Sequence, residues 1–202
     1  MESLAQTVES QIEIKKSFFY GFVAPVADEA QALAMIQALR ERFAQANHVC
    51  YAYVLEEGRI VRAFDDGEPK HTAGMPMLGV LQKQDLTQVC AVVVREFGGI
   101  KLGASGLVRA YTKAVSEALQ SAVRVQKVAL VGVQGSLSYA QHNRVDALLN
   151  ESLEALKLTF DAHVTFEGTL LKGHLERFGQ QLNETLGTTL ELSITHETST
   201  YR

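Results

Sequence analysis

The chain has 202 residues, 47% hydrophobic and 21% charged, with a formal net charge of −4, the make-up of an ordinary globular protein able to bury a sizeable core. Its longest apolar run, "VCAVVV" at 89–94, is far short of the roughly 20 residues a membrane helix needs. The opening "MESLAQTVES" has no basic or apolar leader region, and Cys50 and Cys90 are too few for a disulfide framework. A cytoplasmic protein is expected, with reduced thiols, no membrane association and no disulfide-linked partner.

"QIEIKK" alternates and "SFFYGFVAPV" is apolar on both faces, as expected of a strand entering a covered sheet. Residues 28–44 place Ala32, Met35, Ile36, Leu39 and Phe43 at helical spacing. "HVCYAYVL" and "RIVRAF", separated by "EEG", read as a hairpin. "GMPMLGVLQK" reads as a helix with Pro76 in its first turn. "QVCAVVVREF" is the most strand-like run, and 104–122 forms a helix with Leu107, Ala110, Tyr111, Ala114 and Ala118 on one face.

A second pattern starts near Val128. "VALVGVQGSL" is a strand and 140–152 a helix; 156–166 alternates as one long strand or as two split near Asp161. Leu171, Leu175, Phe178 and Leu182 mark a helix that Gly187 can stop, and "LELSIT" closes with period two. The order βαββαβ is that of a ferredoxin-like sandwich. An α+β fold of two domains is expected, 1–127 and 128–202. The first carries 14 Lys/Arg against 14 Asp/Glu and the second 5 against 9, so the net negative charge lies in the second.

The strongest candidate for chemistry is "VVVREFGGIKLGASGLVRAYTKAV", 92–115. Gly98 and Gly99 follow a strand, and Gly103 and Gly106 flank a helix start, where backbone amides are unpaired and an anion can approach. Arg109 and Lys113 lie four apart on the helix face opposite its apolar stripe, with Arg95 and Lys101 nearby. The spacing matches neither a dinucleotide fingerprint nor a phosphate loop, so a glycine turn beside a solvated helix face is the alternative.

The second candidate is the acidic turn "FDDGEPKHTAGMPML", 64–78. Asp-Gly and Glu-Pro are turn chemistry, and Thr72 is placed to cap the helix after it. Asp65, Asp66 and Glu68 could hold magnesium through one or two carboxylates. Alternatively, Asp66 or Glu68 could pair with Arg95 or Lys101 and support the Gly-rich loop. His48 and Cys50 share a strand face but need contact and a lowered thiol pKa to act as a nucleophilic pair. His71, His142, His163, His174 and His196 show no metal-ligand spacing.

Together "EIKKSFF" (13–19), "HVCYAYV" (48–54), the acidic turn (64–78) and the Gly-rich stretch (92–115) resemble the IMPACT/YigZ family. The resemblance implies a first domain like the second domain of a ribosomal small-subunit protein. It implies a second domain like the fifth domain of elongation factor G. It further implies a non-catalytic regulator linked to translation, whose partner is RNA or a ribosome-associated protein. Asp65, Asp66, Glu68, Thr72 and Gly74 fall in the family's acidic motif, and Arg95, Gly98, Gly99, Lys101, Gly103, Gly106 and Arg109 in its Gly-rich motif. Phe18, Met75, Glu96 and Ser105 depart from the family pattern, three of them lowering positive charge or stacking capacity. No reaction, cofactor or metal comes with the resemblance. The alternative is an enzyme or sensor that binds a phosphorylated small molecule, with magnesium, at the acidic turn and Gly-rich loop.

Overall fold

A computed structural model describes all residues 1–202, which divide into two compact units, Met1–Gln126 and Lys127–Arg202. In the first unit, β2 (Val8–Ile14), β3 (Ser17–Pro25), β6 (Val89–Glu96), β4 (His48–Leu55) and β5 (Ile60–Phe64) form one antiparallel sheet in that spatial order. The alternating "QIEIKK" and the apolar run after it are thus two strands of a hairpin. Ile14 pairs with Ser17 across a two-residue turn in which Lys15 and Lys16 have φ of 48° and 63°. Both residues adopt the left-handed backbone of a tight hairpin turn without the usual Asn-Gly signature.

The central strand β6 shows why the sheet is covered on both faces. Successive side chains alternate, so Val89, Ala91 and Val93 join Met77, Leu81, Tyr111 and Ala114 in one core. Cys90, Val92 and Val94 join Ala32, Ile36 and Leu39 in the other. The first core lies under α2 (Gly74–Lys83) and α3 (Ala104–Leu119), the second under α1 (Glu29–Arg42). Each fully buried valine stabilises this arrangement by roughly 1.5–3 kcal/mol. Asp28 caps α1 by accepting from the Gln31 amide at 2.8 Å. The short β1 (Glu2–Leu4) pairs with Arg124–Gln126, the first residues of β7 (Arg124–Leu137).

The second unit orders its strands β10-β7-β9-β8, all antiparallel, with α4 (Tyr139–Ser152) and α5 (Leu175–Leu186) packed on the core of Val131, Val133, Phe166 and Leu170. This is the βαββαβ sandwich topology. A capping box of Ser138 and Gln141 starts α4, and Gly187 at φ 69° ends α5. The 156–166 segment splits into β8 (Glu154–Phe160) and β9 (Val164–Leu171). Leu171 closes β9 and is no part of the helix assigned to it from spacing. The last strand, β10 (Ser193–Tyr201), covers the polar run "SITHETSTY" and not "LELSIT", because its residues are nearly all exposed and so carry no apolar alternation.

Candidate functional site

The acidic turn is a set of structural anchors. Asp65 and Asp66 follow the last residue of β5 and point to opposite sides. The Asp65 carboxylate accepts from the amides of His71 (2.8 Å), Ala73 (3.0 Å) and Gly74 (2.8 Å), and so caps the start of α2. Thr72, expected to be that cap, instead donates its hydroxyl to the Pro69 carbonyl at 2.6 Å. Asp66 takes both terminal nitrogens of Arg40 (2.8 and 3.2 Å) and the Val49 amide at 2.7 Å. Glu68, 8% exposed, accepts through Oε1 from Arg95 Nη1 (2.7 Å) and from the Tyr111 hydroxyl (2.8 Å). Each carboxylate is therefore engaged by protein donors, and the three do not converge on a common point. No group of three or more His, Cys, Asp or Glu is placed to hold a metal ion.

The same network removes the Cys-His pair from consideration. Cys50 donates its thiol to the Asp65 carbonyl at 2.9 Å and lies 3.4 Å from the Tyr111 hydroxyl. Burial drives the Cys50 thiol well above its ordinary pKa, and the Cys90 thiol is pushed up to about 12 by burial alone. Both stay protonated and behave as small buried apolar groups. Burial likewise pushes the Tyr111 phenol far up, which keeps it a hydrogen-bond donor to Glu68.

Arg95 is the residue whose place differs most from the surface position its motif suggested. It is 4% exposed, stacked over Phe19 and Phe97 at 5.4 Å from each ring centre, and ion-paired to Glu68. Its Nε, buried, has no hydrogen-bond partner. Beside it, Gly98 serves close packing: a Cβ there would lie 1.9 Å from the Lys16 carbonyl oxygen, while its amide donates to Ser17 Oγ at 3.1 Å. Gly106 packs against Leu102, whereas Gly99 and Gly103 face open space.

A cleft of about 390 Å³ opens where these elements meet. Its polar floor is His48, Glu68 and Arg95; its apolar wall is Pro69, Phe97, Leu102 and Leu107; Lys101, Gly103 and Ala104 form the remaining side. That last side is the N-terminus of α3. Gly103 occupies the cap position at φ 74° and ψ 165°, a conformation reserved almost wholly for glycine, and no side chain caps the helix. No acidic residue stands in its first turn, so the amide ends and the positive end of the helix dipole are left for a ligand. His48 is held by its Nδ1, 2.8 Å from the Asp66 carbonyl oxygen.

The structure thus brings Arg95, Lys101 and Gly103 to one cleft, whereas Gly98, Gly99 and Gly106 are not part of its lining. Arg109 and Lys113 lie outside the cleft lining, exposed along α3, and Lys113 pairs with Glu117 at 3.4 Å. His48, Phe97 and Leu102 are cleft residues that the glycine and charge pattern did not single out. The nearest signal was Phe97 and Leu102 bracketing "GGIK", apolar residues placed within a loop.

These features define a two-unit α+β protein with a helix-terminus cleft in its first unit. The chain belongs to the IMPACT family: the model of the Impact N-terminal domain matches residues 15–119. It is similar to the IMPACT family member YvyE of Bacillus subtilis, 40% identical over 178 residues that cover 87% of this chain and 82% of YvyE. It is also similar to the IMPACT family member YigZ of Escherichia coli, 37% identical over 142 residues, 69% of this chain and 70% of YigZ. A crystal structure described as that of a hypothetical protein superimposes with a TM-score of 0.66 at 30% identity, covering 96% of this chain and 97% of that one. No helix is long and apolar enough to cross a membrane.

Proposed function

We propose that this chain is a non-catalytic, cytoplasmic regulator linked to translation, which binds RNA through the Gly-rich loop and the exposed flank of α3. The observation that carries the reading is the uncapped α3 N-terminus, opening with Lys101 onto the cleft while Arg109 and Lys113 continue the positive face. Backbone amides and the two or three cations suit phosphate oxygens. Arg95 supports this surface from beneath through Glu68 and is not itself a contact.

Three phosphate contacts, from Lys101, Arg109 and Lys113, correspond to a slope of about −2 in log affinity against log salt for a single strand. Fluorescence anisotropy of a labelled single-stranded RNA across a salt series tests this. The expected result is a salt-dependent signal with that slope, removed by Arg109→Glu with Lys113→Glu. Binding indifferent to salt and to both changes would overturn the RNA assignment. Capture of a ribosome-associated protein by that same variant would move the function to protein docking.

A further inference from the structure

The cleft holds more than an anion needs. Glu68 Oε1 is used by Arg95 and Tyr111, while Oε2 makes no hydrogen bond within the protein and has His48 Nε2 3.9 Å away, beyond hydrogen-bond reach. The Glu68 side chain is 3% exposed and lines the cleft. The Oε2 oxygen is not sealed from solvent, so it opens on the cleft as an acceptor for a donor bound there. His48 adds a second acceptor. In the tautomer with its hydrogen on Nδ1, which donates to the Asp66 carbonyl oxygen, Nε2 presents a lone pair.

The cleft therefore offers two neighbouring acceptors, helix amides and a lysine ammonium, and the Phe97 ring and the Leu102 side chain line it as well. A lone phosphate would leave the two acceptors and the apolar wall unused. A molecule with a dianionic group, neighbouring hydroxyl donors and a flat apolar body uses all three. The volume of about 390 Å³ also lies in the range of sites for whole small molecules, above what one ion requires.

We infer that the cleft receives one 5′-phosphorylated ribonucleoside, either free or as the 5′ end of an RNA. The phosphate sits at the α3 amides and Lys101, ribose hydroxyls donate to Glu68 Oε2 and His48 Nε2, and the base lies against Phe97 and Leu102. This deepens the RNA reading above and rests on it, adding that the bound strand is held by its end as well as along its backbone.

The test uses the full chain and 3′-labelled RNA octamers with a 5′-phosphate or a 5′-hydroxyl. Free nucleoside 5′-monophosphates, their 2′-deoxy forms and inorganic phosphate serve as competitors. The 5′-phosphate is expected to tighten binding at least tenfold, and deoxy nucleotides to compete at least tenfold more weakly than ribonucleotides. Ala104→Asp should abolish the 5′-phosphate preference. An acid at that exposed first helical position suits the helix dipole, so the fold is kept while the phosphate is repelled. Competition by free ribonucleotides as strong as that of the 5′-phosphorylated RNA identifies the nucleotide as the ligand's source, and competition by oligomers alone identifies the RNA end. Equal affinity for the two octamers overturns this inference and leaves the proposed function standing. Inorganic phosphate competing as well as the nucleotides overturns the nucleoside part. Absence of both RNA and nucleotide binding overturns the two together.

Discussion

Glu68→Gln is the change that tests the anchoring network most sharply. Glu68 and Arg95 are buried together, 3% and 5% exposed at their side chains, with 2.7 Å between Oε1 and Nη1. Glutamine keeps the shape and an acceptor oxygen but leaves the Arg95 charge without its counter-charge away from water. Breaking one side of a buried pair costs about 3–5 kcal/mol, and the retained acceptor places this change near ~3 kcal/mol. For the first unit, Met1–Gln126, an unfolding entropy of about 2.1 cal/mol/K per residue converts that loss into a Tm lower by roughly 11 °C. Calorimetry of the first unit's transition in the full chain is the assay. Arg95→Met combined with Glu68→Gln should recover most of the loss, because a neutral, packed pair needs no counter-charge. A fall of under about 2 °C for Glu68→Gln would show that the pair is solvated and refute the reasoning. So would a double variant at least as unstable as the single changes added together.

Two further outcomes follow from the same geometry. Asp65→Ala should destabilise the first unit by about 2 kcal/mol in urea unfolding, the upper end for a lost helix cap, since it removes the acceptor of three amides, whereas Thr72→Val should cost less than about 1 kcal/mol. The reverse order would restore Thr72 as the cap. The buried thiols predict an alkaline limb. Their folded pKa values are raised above the ordinary 9.0, so their contribution is fully present below about pH 9. It is lost as pH rises towards the folded values, at about 1.4 kcal/mol per pH unit for each thiol ionised only in the unfolded chain. Urea titrations at pH 8 and 10 should show a shallower decline for Cys50→Ala with Cys90→Ala than for the wild type, and identical slopes would contradict the buried, protonated assignment.

Much of the fold was legible because burial leaves periodic traces. "QVCAVVVREF" reads as the most strand-like run and forms β6, buried on both faces, and helical spacing located α1, α2 and α3. Where burial leaves no trace, the pattern failed. The strand β10 is exposed and polar, and the β2–β3 turn is made by two lysines that sequence preference does not assign to a left-handed backbone. The site was legible in part. Glycines and lysines marked the α3 terminus, since unpaired amides need open backbone there. The burial of Arg95 depends on Glu68, 27 residues away, and the cap of α2 comes from Asp65, nine residues before Gly74. The Glu68–Arg95 pairing is one of the alternatives the charge pattern offered, and the structure selects it; the Asp65 cap has no local spacing rule and became visible only once β5 and α2 were placed together.

The measurement that bears most directly on the central claim is an amide chemical-shift titration of the isotope-labelled full chain with single-stranded RNA. The resonances of 98–107 are expected to shift progressively, those of Lys101 and Ala104 among the most, while those of 127–202 stay in place. Shifts confined to the second unit, or none at RNA concentrations that saturate the anisotropy signal, would contradict that claim.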